Sequence, residues 1–323
     1  MYRTFYNLTR KPFEMSPDPY FYYPTTRHNE ALALLTYGVQ EKKGLVVVSG
    51  EVGTGKTLLV RCLLDTLSRR KVAFAFVYNP VPSVSDFLAL LLNDLGVPIT
   101  PDSKVKLLPA LNNFLLSRSY HGEATALVVD EAQLLSSELL EEIRLLTNLE
   151  TAQFKLLQIV LVGQPELEQK LDSPELRQLK QRVAMRCRLK PLELEDVRGY
   201  IHRRLELAGM NSPGAFPFPE ETIRVVHRYS RGIPRLINTI CENALITGYS
   251  RRVAQISPVM VQDVAANLCL EPAAISSAVK PPVPETDGGE EVLGVLARMI
   301  EERDEPSGTF SRDFKKDTGT RTL

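Results

Sequence analysis

The sequence predicts an α/β fold, with a five-stranded parallel sheet followed by a smaller domain of helices. Near-continuous apolar runs alternate with longer stretches at helical spacing, which is typical of a parallel sheet covered on both faces. After Pro191 the apolar residues recur only at helical spacing, so we expect helices alone in that part of the chain. The strands are expected at residues 45–49, 72–78, 126–130, 156–162 and 186–189.

Composition and charge indicate an ordinary folded protein. The chain has 323 residues, of which 44% are hydrophobic and 24% charged, and this excludes wholesale disorder and collagen-like or coiled-coil repeats. Thirty-nine basic residues balance thirty-nine acidic ones, so no overall field attracts nucleic acid. No apolar run approaches the roughly 20 residues of a transmembrane helix, and the N-terminus lacks the layout of a signal peptide. We therefore expect a cytoplasmic protein, either free or peripheral at the inner membrane.

The four cysteines are widely separated, without the close pairs or Cys/His clusters of zinc and redox sites. We expect all of them to be small buried apolar residues. They are Cys62, Cys187, Cys241 and Cys269.

Composition divides the chain into four regions. Residues 1–30 combine prolines with many aromatic residues, so we expect an extended segment, called here the N-terminal clasp, that packs on the next domain. Residues 31–190 form the predicted α/β domain, and residues 191–270 the predicted helical lid. Residues 271–323 carry too little apolar surface to fold, except for an amphipathic stretch at 290–303 that we expect to dock into a partner's groove.

A phosphate-binding motif follows the first predicted strand directly. It reads Gly50-Glu51-Val52-Gly53-Thr54-Gly55-Lys56-Thr57, with a helical run from Leu58. The glycines let a tight loop point its N–H groups at a β-phosphate, while Lys56 adds charge and the Thr57 hydroxyl can bind Mg²⁺. We therefore predict that residues 50–58 bind a nucleotide.

Two acids follow the third predicted strand, where open α/β sheets place their ligands. Asp130 is expected to hold Mg²⁺, largely through water, and Glu131 to polarise the water that attacks a γ-phosphate. The alternative is that both acids merely open the next helix. Because the chain has no [NT]-K-x-D guanine-reading motif, ATP is the expected nucleotide and the predicted activity is that of an ATPase.

Two further residues are candidates for contacting the γ-phosphate. Gln164 follows the fourth predicted strand and could bind the attacking water or a phosphate oxygen, unless it only starts the turn before Pro165. Arg235 stands at the start of a lid helix, where a cation is unfavourable, so an anion is expected nearby. Arg27 and His28, before the helix that leads to the first strand, are weaker candidates for adenine contact, and His28 could equally be a surface histidine.

At this point the chain resembles the AAA+ ATPases, whose lid carries a γ-phosphate-sensing arginine in a Gly-x-Pro-Arg setting, here Gly232-Ile233-Pro234-Arg235. The resemblance narrows to the general secretion pathway protein A (ExeA-type) family over roughly residues 1–270. It implies a cytoplasmic, homo-oligomeric AAA+ ATPase that serves envelope assembly, including secretion and exosortase-linked exopolysaccharide systems. The similar motifs are Tyr6-Asn7-Leu8, Pro12-Phe13, Pro17-Asp18-Pro19, the phosphate-binding loop, Val129-Asp130-Glu131-Ala132-Gln133, Leu161-Val162-Gly163-Gln164-Pro165-Glu166-Leu167 and Gln181-Arg182-Val183.

The most basic segment, residues 177–188, has three competing interpretations. It could be a solvated surface, a DNA contact, or the source of an arginine finger for the neighbouring subunit. The resemblance aligns Arg182 with the finger, and Arg177 is the second candidate. The core also resembles ATP-dependent regulators of transposition, so an ATP-gated DNA-binding adaptor for a transposase is the alternative function. This segment and the stretch His202-Arg203-Arg204 are the basic patches that would contact DNA.

Overall fold

The computed structural model describes residues 1–78, 83–98, 104–210 and 216–273. The predicted tail helix at 290–303 lies outside these residues. The described part contains a five-stranded parallel sheet in the order β2-β3-β4-β1-β5, so the predicted fold class is confirmed. The strands are β1 (Leu45–Gly50), β2 (Ala73–Val77), β3 (Thr125–Val129), β4 (Leu157–Gly163) and β5 (Val183–Leu189).

The edge strand β5 begins three residues before its predicted start. Its side chains alternate between partly buried and exposed positions, because only one face of this end of the sheet is well covered. Such alternation is harder to recognise than the continuous apolar runs of β1, β3 and β4, whose residues are buried on both faces.

Successive residues of the central strands pack into different cores, which gives the α/β domain three layers. On one face, Val46 and Val48 pack with α2 and α3, whereas on the other Leu45 and Val47 pack with the remaining helices of the domain. The helices are α2 (Thr26–Gln40), α3 (Lys56–Arg69), α4 (Val84–Asp94), α5 (Lys104–Tyr120), α6 (Ser137–Leu146), α7 (Pro165–Leu171) and α8 (Arg177–Gln181).

The helical lid has four helices among its described residues and a core of its own. Ser257 caps the last of them by accepting the N–H of Met260, and Pro258 occupies the first turn. The helices are α9 (Leu194–Leu207), α10 (Glu220–Ser230), α11 (Pro234–Ser250) and α12 (Pro258–Asn267).

The N-terminal clasp contains a short helix, α1 (Tyr2–Phe5), and one 3₁₀ turn (Pro19–Phe21). The prediction that it packs on the α/β domain is wrong for its first half, because Tyr6 and Phe13 are buried in the core of the lid. The reason is that the lid helices leave an apolar face, where the Phe13 ring meets that of Phe218 edge-on with centroids 6.0 Å apart.

The prediction for the cysteines is only partly correct. Cys62 and Cys241 are buried, whereas Cys187 is partly exposed on the edge strand and Cys269 is exposed. Cys269 lies just beyond α12, at a left-handed backbone position with φ 54°, between Leu268 and Leu270, which both pack against the core of the lid. In the part of the chain that the structure describes, no helix has the length and apolarity needed to cross a membrane.

Candidate active site

The loop between β1 and α3 is shaped by glycines at left-handed positions. Gly53 has φ +81° and Gly55 has φ +99°, conformations that other residues adopt only with strain. Gly53 also lies against the lid, because a Cβ atom at this position would stand 2.8 Å from the Cβ atom of Arg235. The loop therefore needs glycine at this position both for its own turn and for its contact with the lid.

Lys56 begins α3 and is 6% exposed. Its Nζ atom donates hydrogen bonds to the carbonyl oxygens of Gly50 and Glu51, at 2.7 and 2.9 Å. Burial lowers the pKa of Lys56, and the nearby carboxylates of Glu131 and Asp130 partly oppose this by stabilising the ammonium form. The loop thus holds a buried cation close to two acids.

Thr57 and Asp130 meet across the sheet edge. The Thr57 hydroxyl donates to Asp130 Oδ2 at 3.0 Å, and Asp130 Oδ1 accepts the N–H of Glu131 at 2.9 Å. Burial raises the pKa of Asp130, whereas these two hydrogen bonds lower it. A hydroxyl beside a carboxylate suits the oxygen chemistry of Mg²⁺. Among the described residues no group of three or more His, Cys, Asp or Glu could hold a metal ion, so Mg²⁺ would need nucleotide and water ligands as well.

Glu131 lies just after β3 in a left-handed conformation with φ 52°. Its Oε2 atom accepts one hydrogen bond from Gln164 Nε2 at 3.1 Å and another from Gln133 Nε2 at 2.6 Å. The side-chain oxygen of Gln133 also accepts the backbone N–H of Gln164 at 3.1 Å. Two amides therefore fix the orientation of the Glu131 carboxylate. Gln133 was not among the predicted site residues, although it stands within the motif that carries the family resemblance.

Arg235 joins this group from the lid. It lies in the first turn of α11, directly after Pro234, and its backbone N–H donates to the carbonyl oxygen of Gly53 at 3.2 Å. The preceding turn requires glycine, because Gly232 has φ +73° and a Cβ atom there would lie 2.0 Å from the Leu192 carbonyl oxygen. The start of α11 is thereby placed directly against the phosphate-binding loop.

These elements surround a cavity of about 310 Å³. Its lining includes nine predicted residues: Val52, Gly53, Gly55, Lys56, Thr57, Leu58, Glu131, Gln164 and Arg235. Five other predicted residues lie outside the lining: Gly50, Glu51, Thr54, Asp130 and Arg182. The lining residues that sequence reasoning missed are Met15, Ser16, Pro17, Tyr200, Pro234, Asn238 and Arg204, the last of which was read as part of a surface patch.

Arg182 lies at the end of α8 and is partly exposed. It lies near Glu150. The pKa of Glu150 is lowered mainly by Lys155, and the charge of Arg182 lowers it further. Arg182 does not line the cavity described above.

His28 lies behind the phosphate-binding loop and is only 8% exposed, and neither it nor Arg27 lines the cavity. Its Nδ1 atom lies 2.7 Å from the Thr25 hydroxyl and its Nε2 atom 3.1 Å from the carbonyl oxygen of Thr54. Because the Thr54 carbonyl can only accept, Nε2 donates to it. Burial lowers the pKa of His28, which favours the neutral ring, and in that form the Thr25 hydroxyl donates to Nδ1. His28 thus supports the phosphate-binding loop through the Thr54 carbonyl.

Comparison with known proteins agrees with this geometry. Residues 39–171 match the AAA domain family. General secretion pathway protein A of Aeromonas hydrophila is 45% identical over 252 residues, which cover 78% of this chain and 45% of that protein. The chain thus spans less than half the length of this relative.

Several solved structures share the fold at low sequence identity. The ORC2 protein of Aeropyrum pernix in its ADP form has a TM-score of 0.57 and 16% identity, covering 80% of this chain and 72% of that one. Cdc6p of Pyrobaculum aerophilum has a TM-score of 0.56 and 18% identity, covering 78% and 70%. The predicted resemblance to AAA+ ATPases of the general secretion pathway protein A family is therefore confirmed, and the chain carries an AAA domain with the fold of the P-loop ATPases.

Proposed function

We propose that the chain binds ATP with Mg²⁺ and hydrolyses it by direct attack of water. The observation that carries this proposal is that Lys56, Thr57, Glu131, Gln164 and Arg235, which come from four different elements, line one and the same cavity. This set contains a phosphate-binding amine, a hydroxyl suited to Mg²⁺, a base, an amide and a second cation.

Each group has a role that its position supports. Glu131 polarises the attacking water and is kept in orientation by its two amide partners. Lys56 and Arg235 stabilise the charge on the transferring phosphoryl group. Thr57 and Asp130 would hold Mg²⁺, which supplies further charge stabilisation when bound.

Two substitutions test this proposal. Lys56→Ala should abolish ATP binding in titration calorimetry, because it removes the cation that the phosphate-binding loop positions. Glu131→Gln should bind ATP and fail to hydrolyse it. Lys43→Ala, which removes an exposed lysine of the same domain, is the matched control and should behave as wild type. Equal ATP affinity in Lys56→Ala and wild type contradicts the assignment.

The active site is proposed to lie between subunits of a homo-oligomer, either a ring or a filament. The support is that Arg182 is partly exposed and outside the cavity of its own chain, as an arginine finger for a neighbour would be. Such arginine fingers raise the rate of hydrolysis roughly 10³- to 10⁵-fold. Arg182→Ala and Glu131→Gln should each be inactive, and mixing them should restore part of the activity. No recovery in a mixture shown to co-assemble would exclude Arg182 and direct attention to Arg177.

We further propose that hydrolysis powers or switches assembly of an envelope secretion or exopolysaccharide system, at the cytoplasmic face of the inner membrane. The similarity to general secretion pathway protein A supports secretion as the setting. A strain in which Glu131→Gln replaces the wild-type protein should retain its exported proteins or polysaccharide inside the cell. Normal export in that strain would contradict the proposal.

An ATP-gated DNA-binding adaptor is the alternative, and the observation that favours it is the pair of exposed arginines, Arg186 and Arg188, on β5. Phosphate contacts release counterions, so DNA binding would weaken steeply with salt. This alternative would be supported if duplex DNA stimulates ATP hydrolysis and if the stimulation disappears both as the salt concentration rises and in Arg186→Ala. Hydrolysis that duplex DNA leaves unchanged would exclude it.

A further inference from the structure

Arg204, in α9, is a buried cation on the wall of the cavity. It is 4% exposed, and its Nη1 atom donates to the Pro12 carbonyl oxygen at 2.7 Å. Its Nε atom is buried without a hydrogen-bond partner. Among the described residues its guanidinium pairs with no carboxylate. It lies against the rings of Tyr200 and Phe21, at 4.9 and 5.1 Å, and it also interacts with the Tyr200 hydroxyl. A buried charge without a counterpart is costly, so a ligand that enters the cavity is the natural partner.

The position of Arg204 relative to the phosphate-binding loop indicates which end of a nucleotide it would meet. Arg235 contacts that loop through Gly53, and Asn238 lies one turn further along α11. Asn238 Oδ1 accepts the Tyr200 hydroxyl at 2.9 Å, and the Tyr200 ring lies against Arg204. Arg204 is thus linked to the phosphate-binding loop through three intervening residues, Tyr200, Asn238 and Arg235, and we infer that it meets the nucleoside rather than the phosphates.

We propose that Arg204 binds the nucleoside end of the nucleotide and couples its binding to docking of the N-terminal clasp. The proposal rests on the nucleotide site proposed above. Ribose hydroxyls and ring nitrogens offer acceptors to a guanidinium, and the base offers a face for stacking. The same guanidinium holds Pro12, and residues 15–17 of the clasp line the same cavity. A nucleotide that fixes the position of the Arg204 side chain therefore also stabilises the docked position of the clasp.

Coupling of this kind is reciprocal. If the nucleotide favours the docked clasp, the docked clasp raises nucleotide affinity by the same factor. Protection of the clasp from hydrogen exchange is therefore a readout of the coupling that does not depend on hydrolysis.

The test compares Arg204→Gln with Arg235→Gln by titration calorimetry with ATP and with ADP. Loss of a hydrogen bond to a charged group corresponds to a drop in affinity of roughly 10- to 150-fold. Arg204→Gln should weaken ATP and ADP by the same factor, because both share the nucleoside. Arg235→Gln should weaken ATP more than ADP, because its position beside the loop favours the γ-phosphate.

Hydrogen exchange of residues 2–17 provides the second measurement. Nucleotide should slow exchange in wild type and leave it unchanged in Arg204→Gln. Thr9→Val is the matched control, because it removes a different bond of the clasp, from the Thr9 hydroxyl to the Ala208 carbonyl oxygen at 2.9 Å. It should speed exchange in the clasp and preserve the slowing by nucleotide.

If Arg204→Gln does not fold, Arg204→Lys tests the proposal instead, because it keeps the buried charge but lacks the planar guanidinium. It should also weaken ATP and ADP equally. The proposal is overturned if neither variant changes affinity, if the loss is confined to ATP, or if nucleotide leaves exchange of the clasp unchanged in wild type. Failure of the wild-type protein to bind either nucleotide would instead overturn the proposed function itself.

Discussion

Gln133→Leu tests whether the orientation of Glu131 limits hydrolysis. The substitution keeps the size of the side chain and removes both of its hydrogen bonds, at 2.6 Å to Glu131 Oε2 and at 3.1 Å from the Gln164 N–H. A hydrogen bond to a charged group contributes about 1.5–3 kcal/mol. If this stabilisation is expressed in the transition state, its loss lowers kcat by roughly 10- to 150-fold, since about 1.4 kcal/mol is tenfold. The second amide, from Gln164, remains, so the decrease should fall short of that in Glu131→Gln.

The assay measures steady-state hydrolysis together with ATP affinity. Gln133 does not line the cavity, so affinity should stay within about twofold of wild type while kcat falls. Gln158→Leu is the matched control, because Gln158 is also a buried glutamine that accepts a backbone N–H, that of Gly44 at 2.8 Å. Each variant removes the partner of a backbone N–H, that of Gln164 in a partly buried bond and that of Gly44 in a buried one, at a cost of about 1–3 kcal/mol. Both should therefore lose stability, but only Gln133→Leu should lose kcat selectively. The reasoning is refuted if Gln133→Leu turns over ATP as wild type does, or if Gln158→Leu shows the same loss of kcat.

Three further predictions follow from the geometry. Burial lowers the pKa of His28, so on acidification below about 6.5 the unfolded chain takes up the proton first and the folded state loses stability. The difference in unfolding free energy between wild type and His28→Gln should therefore shrink as the pH falls from about 7.5 to about 5.5, and denaturant titrations that show a constant difference would contradict this. Gly232→Ala should lower the melting temperature far more than Gly122→Ala, because both glycines have left-handed φ but only Gly232 would bring a Cβ atom onto backbone. Similar melting temperatures would refute that argument. Asp130→Asn should weaken the dependence of ATP affinity on Mg²⁺, because it removes one of the groups proposed to hold the ion, and an unchanged dependence in calorimetry with and without EDTA would contradict this.

The predicted site residues that the structure brings together at the sheet edge belong to local patterns. Lys56 and Thr57 are fixed by the loop and the helix that follows it, and Asp130 follows a strand that is buried on both faces. Parallel order then brings the ends of β1, β3 and β4 to one edge, so pattern and topology together account for this half of the site.

The other half depends on tertiary contacts that no local pattern contains. The role of Gln133 arises because Glu131 turns into a left-handed conformation and because β4 ends beside it. Arg203 and Arg204 are adjacent in a basic stretch, yet Arg203 is exposed and Arg204 is buried. Only the packing of the N-terminal clasp against α9 distinguishes them. The sequence alone therefore predicts one basic surface patch, and for Arg204 this prediction is wrong.

The polypeptide crosses between the α/β domain and the lid twice. Tyr23 packs on the lid, whereas Thr25, two residues later, caps the first long helix of the α/β domain. On the way back Leu189 ends the edge strand, and Leu192 already belongs to the core of the lid. A body attached at two points can rotate easily only about the line that joins them. Rotation about that line strains neither connection, whereas a sideways slide of the lid would strain both.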